Sequence, residues 1–97
     1  MLTESSYSES IVDVQLMKNG LLEIHIFCSR PKPDLSYLIS KTLEDLGLII
    51  QDAMIANFDV FKLDLRAQQR NGGQYVRPDQ IKLILLDLVG DRGALQV

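Results

Sequence analysis

Cysteine is almost missing from this chain: Cys28 stands alone, so no internal disulfide can form. That excludes the small, disulfide-stapled secreted scaffolds and predicts a reducing, intracellular setting. The segment Met1–Glu9 is polar and Ser-rich, without the apolar stretch of a signal peptide. No apolar run approaches the roughly 20 residues that a membrane-spanning helix needs, so no membrane contact is expected. Basic clusters are lacking too. The 10 Lys and Arg are scattered singly among 13 acids, for a net charge of −3. A domain that grips nucleic acid gathers its cations on one face to neutralise phosphates, and this chain does not. Direct nucleic-acid contact is therefore not expected.

What is present is the composition of a globular domain, with 46% hydrophobic and 24% charged residues over 97 positions. Residues 1–10 read as a disordered arm, 11–90 as one domain and 91–97 as a frayed tail. Val12, Val14 and Leu16 alternate with polar neighbours, the period of a strand. Asn19-Gly20 follows, a pair that tolerates the positive φ of a type I′ hairpin turn. A second strand, 21–28, puts Leu22, Ile24, Ile26 and Cys28 on one face. Two prolines, Pro31 and Pro33, break the pattern.

Asp34 stands at a helix start, where its side chain can accept from free N–H groups of the first turn. Leu35, Leu38, Ile39, Thr42, Leu43 and Leu46 recur at helical spacing up to Gly47, predicting a helix over 34–46. Strands are predicted over 48–58 and 60–66, then a polar loop over 68–74. Pro78 opens a second helix whose apolar face is Ile81, Ile84, Leu85 and Leu88, ending at Gly90. Four amphipathic strands and two helices bury one face each most simply as an antiparallel sheet with both helices on one side, an α+β fold.

Candidate chemistry is sparse. His25 and Cys28 lie three apart in one strand, so they face opposite sides and cannot share a metal or form a nucleophile–base pair. Cys28 reads as a core residue and His25 as a surface one. The acids Asp34, Glu44, Asp45, Asp52, Asp59 and Asp64 show no convergence on a cleft. Gly72-Gly73 lacks the surrounding pattern of a phosphate-binding loop. Acylphosphatases share the size and strand order but carry a phosphate-binding Arg after the first strand. Here that stretch reads Met17-Lys18-Asn19-Gly20-Leu21-Leu22, without one. No catalytic, metal or cofactor site is expected.

The ordered set of segments resembles the C-terminal ACT-like domain of plant basic helix-loop-helix transcription factors, in the SCREAM and inducer-of-CBF-expression subgroup. It is carried by Val12-Asp13-Val14, Ile24-His25-Ile26-Phe27-Cys28 and Leu43-Glu44-Asp45-Leu46-Gly47-Leu48. Gln51, Ala53, Ile55, Phe58, Phe61, Leu63 and Asp64 continue it, and Pro78-Asp79-Gln80-Ile81-Lys82 with Leu85-Leu86-Asp87 closes it. The resemblance implies a ββαββα ACT-like (ferredoxin-like) fold, a nuclear location and a non-catalytic role in homo- or heterodimerisation beside a separate DNA-binding region. A homodimer, or a dimer with a related transcription factor, is expected. The alternative is a ligand-sensing ACT domain. Those that sense amino acids carry Pro-Gly before the first helix, where the Gly lets backbone approach the ligand. This chain has Pro33-Asp34 instead, which argues against amino-acid binding.

Such a fold implies the strand order first, second, fourth, third, and hence an edge position for 48–58. That strand is long, has no Pro or Lys, and is apolar, so it invites a partner strand. The expected dimer interface is Ile49, Ile50, Ala53 and Ile55, with Tyr37 from the neighbouring helix. The rival interface is the open sheet face, with Phe27, His25 and Ile55.

Overall fold

In a computed structural model, which describes residues 9–70 and 75–90, six main elements follow one another. They are β1 (Ser10–Leu16), β2 (Leu21–Cys28), α1 (Leu35–Asp45), β3 (Leu48–Asn57), β4 (Phe61–Gln69) and α2 (Pro78–Val89). Of the arm expected over residues 1–10, residues 1–8 lie outside the described residues, as do the tail over 91–97 and the loop centre at 71–74, whereas Ser10 already belongs to β1. The strands form one antiparallel sheet in the order β1-β2-β4-β3. This is the expected order, with β3 at an edge. It is consistent with an α+β, ferredoxin-like, ACT-like fold.

The β1–β2 connection shows why Asn19-Gly20 was informative. Both residues have positive φ, 66° and 76°, and the Leu21 N–H donates to the Lys18 carbonyl. Glycine tolerates this backbone freely, and asparagine better than most. Pairing runs on to the far end, where the Ser29 N–H donates to the Glu9 carbonyl at 2.9 Å.

Helix α1 begins one residue after the expected start, and its cap differs from expectation. Asp34 sits in the left-handed region, φ 60° and ψ 28°, and its side chain makes no capping bond. A side-chain cap needs extended backbone at that position, which the turn from Pro33 does not provide. Gly47, at φ 87°, does supply the expected stop, and its N–H reaches the Glu44 carbonyl at 2.9 Å. At the start of α2, Gln80 Oε1 accepts from the Arg77 N–H at 3.2 Å. The last strand is longer than the alternation suggested, because Gln68 and Gln69, expected in a loop, still pair with Ile49 and Leu48.

The core lies between the sheet and both helices. The buried stripes Leu35–Ile39–Leu43 of α1 and Ile81–Leu85–Val89 of α2 pack on Leu22, Ile24, Ile26 and Cys28 of β2. Phe61, Leu63, Leu65 and Ala67 of β4 complete it, and Cys28 is fully buried as expected. Each such Leu, Ile or Phe contributes on the order of 1.5–3 kcal/mol by leaving water. No polar or charged side chain among the described residues is buried.

One irregularity redirects β3. The register with β4 shifts between Ile50 and Asp52, so Gln51 is an extra, bulged residue. Residues opposite each other in a ladder share a face. Ile50 therefore lies on the helix side, opposite Ala67, and so do Ala53 and Ile55, opposite Leu65 and Leu63. Asp52, Met54 and Ala56, opposite Arg66, Asp64 and Lys62, lie on the open side.

Candidate functional site

The two sides of the sheet offer different surfaces, and β3 borders both. Beyond Ile50 every residue of β3 is exposed, including Met54 at 73% and Ile55 at 47%. Helix α1 covers only the start of the strand, where Leu48 is buried and Ile50 packs against the core.

The backbone of this edge can be followed through the alternation of the ladders. The Met17 N–H donates to the Leu21 carbonyl, which makes that pair a hydrogen-bonded one. Counting along β2, the groups of Leu22, Ile24, Ile26 and Cys28 then turn towards β4. Along β4 the groups of Lys62, Asp64, Arg66 and Gln68 in turn meet β3, at Ala56, Met54, Asp52 and Ile49. The hairpin end agrees, because the Phe58 N–H points inward to the Val60 carbonyl at 3.1 Å. The N–H and C=O groups of Ala53, Ile55 and Asn57 are left facing away from the sheet. Their side chains stand on the helix side, where α1 no longer reaches.

The five expected interface residues are thus spread over three surfaces. Ala53 and Ile55 lie together on the free edge. Ile50 is next to them but half-buried against the core. Ile49 is opposite Gln68 on the open face. Tyr37 lies two residues from the buried Ile39 on α1, hence on the helix side away from the sheet, and is 63% exposed. The rival interface also needs correction. Ile55 does not share the open face with His25 and Phe27, because the Gln51 bulge turns it to the helix side.

The open face carries what sequence reasoning had not assembled: a charged array across all four strands. One row runs Asp13–His25–Asp64–Met54 and the next Gln15–Glu23–Arg66–Asp52. His25 Nδ1 lies 2.7 Å from Asp64 Oδ1, and its Nε2 lies 3.7 Å from Glu23 Oε1. Arg66 Nη2 and Nε meet the two oxygens of Asp52 at 3.1 and 3.4 Å. A groove of about 400 Å³ on this face is lined by Glu23, His25, Asp52, Met54, Asp64 and Arg66. The hydrogen bond from His25 to the Asp64 carboxylate, opposed only by slight burial, holds the His25 pKa above its ordinary value, with Glu23 adding to the effect. Period-two counting puts Glu23 and His25 on one face, but only the β2–β4 register puts Asp64 opposite His25. Among the described residues no group of three or more His, Cys, Asp or Glu is arranged to hold a metal.

The antiparallel sheet with a bare edge, an open face and a core under two helices is consistent with an α+β, ferredoxin-like, ACT-like fold. The chain is similar to the transcription factor SCREAM2 of Arabidopsis thaliana, 41% identical over 83 residues that make up 84% of this chain. It spans 18% of the length of SCREAM2. That similarity bears out the resemblance to the SCREAM subgroup of plant transcription factors. Comparison with protein-family models gives no match. Comparison with solved structures gives none either.

Proposed function

We propose that this chain is a non-catalytic dimerisation module of a plant basic helix-loop-helix transcription regulator acting in the nucleus, and that it pairs through the free edge of β3. The observation that carries the reading is the outward-facing backbone of Ala53, Ile55 and Asn57, exposed and unprotected by Pro or Lys. An edge of that kind completes its hydrogen bonds by adding a strand. A second copy, related by a twofold axis, offers the same strand in antiparallel orientation and extends the sheet. A related transcription factor with a similar edge fits equally. Similarity to SCREAM2 supports the regulatory role, and the scattered cations support a partner other than DNA for this segment.

Asp34 bears on the alternative of amino-acid sensing. Its φ of 60° is one that glycine adopts readily, yet Asp34 adds a carboxylate where a ligand would approach. Partner binding is the better-supported reading.

Light scattering with size exclusion over a concentration series tests self-association. A dimer is expected, and a monomer near 10.9 kDa up to hundreds of micromolar would remove the homodimer. Ala53→Pro eliminates one outward donor without touching the β3–β4 ladder. It is expected to raise the dimer Kd at least about tenfold while circular dichroism stays unchanged. If the folded variant dimerises normally, edge pairing is wrong.

A further inference from the structure

The geometry points to a proton-operated clasp on the open sheet face, in which His25 of β2 ties itself to Asp64 of β4 and Glu23 of its own strand when the ring is protonated. Each ring nitrogen faces a carboxylate, Nδ1 at 2.7 Å from Asp64 and Nε2 at 3.7 Å from Glu23. A neutral imidazole has a single N–H, so whichever tautomer forms, one nitrogen turns a lone pair towards a negative oxygen. Only the cation presents a proton to both. The clasp joins the two central strands of the sheet, since His25 and Asp64 are directly opposite in the β2–β4 register.

The charges around the ring favour the cation on balance. From β1, Asp13 stands opposite His25 on the other side. From β4, Lys62 and Arg66 flank Asp64 on the same face and oppose protonation. Arg66 is engaged by Asp52 of β3, which leaves Lys62 as the nearer uncompensated cation among the described residues. Both helices lie on the far face and contribute no charge here. The raised His25 pKa agrees with this balance. Protonation has two results. It strengthens the link between β2 and β4, and it removes one unit of negative charge from the surface beside the groove. Any partner seated on the open face meets a surface whose charge changes within the ordinary range of cellular pH.

The sign follows from linkage. A group whose pKa is raised on folding adds stability that is complete below its unfolded value, about 6.5 for histidine. That stability is lost as pH rises through the folded value. The domain gains this contribution on acidification from pH 8 to pH 6. The pairs are about half exposed, so solvent screens the effect and keeps it small.

This chain has one histidine, so the two carbon-bound protons of a single imidazole, Hδ2 and Hε1, report the titration in the NMR spectrum without ambiguity between histidines. Its midpoint is expected above that of an unstructured histidine peptide, lower in Asp64→Asn, and lowered less in Glu23→Gln. In parallel, the thermal midpoint of the natural chain should gain about 1–3 °C relative to His25→Gln between pH 8 and pH 6. A midpoint at or below the peptide value overturns the clasp. So does a midpoint indifferent to both Asp64→Asn and Glu23→Gln, or a pH dependence of stability that His25→Gln leaves intact. Should Asp64→Asn fail to fold, the peptide comparison, Glu23→Gln and the stability difference still decide.

Discussion

Strands β1 and β3 are both sheet edges, yet they end differently. Along β1, the helix α2 packs over the strand, Val12 is buried, and Ser10 Oγ reaches the Val89 carbonyl at the end of α2. Along β3, α1 covers the first residues only, and everything from Gln51 onward is exposed. The two edges have similar apolar content, so composition does not separate them. What differs is where the helix above each strand ends relative to it. Both edges carry outward-facing backbone groups, but the one held under a helix joins the core at Val12, whereas the one that outruns its helix is exposed along most of its length.

Five substitutions at four positions break or sharpen that contrast. The largest effect is expected at Val12→Asp, which places a charge under α2 with no partner. Urea unfolding should show a loss of about 3 kcal/mol or more. The same acid at the other edge, in Ala53→Asp, should change the stability of the monomer, measured below the dimer Kd, by no more than about 0.5 kcal/mol, since that position is solvated in the single chain. Equal losses at the two sites would show that β3 is covered as β1 is. An intermediate effect is expected at the entry to α1, the helix that leaves β3 bare. Asp34→Val puts a β-branched residue at positive φ and should cost about 1–2 kcal/mol, while Asp34→Gly should cost nothing. Equal unfolding midpoints for the two variants would count against the left-handed backbone. The smallest effect belongs to Arg66→Ala. Its ion pair with Asp52 is about half exposed, so the loss should stay below about 1 kcal/mol in denaturant titration and shrink further in high salt.

The proposals for the edge and for the open face separate cleanly. Ala53→Pro acts on the strand-pairing backbone and leaves the His25 titration where it was. Asp64→Asn shifts that titration and leaves the Ala53, Ile55 and Asn57 backbone intact.

Much of this molecule was legible in the amino-acid order because its determinants are local. Alternation in 21–28 is enough to put Leu22, Ile24, Ile26 and Cys28 inside, since successive strand residues must point to opposite faces. Asn19-Gly20 and Gly47 mark places where the chain turns with positive φ, a requirement that few residues meet. The stripes of the helices follow from their 3.6-residue period. Three things were decided only by tertiary structure. The bulge at Gln51 puts Asp52 opposite Arg66 and not opposite the buried Leu65, and no local pattern reports that pairing. The bulge carries Ala53 and Ile55 to the helix side and separates Ile55 from His25, since a one-residue shift turns every later side chain over. Asp34 took up a left-handed backbone because the path from Pro33 into α1 demands it, against its preference for an extended capping conformation. His25 met Asp64 across 39 residues because register brings together what sequence distance keeps apart.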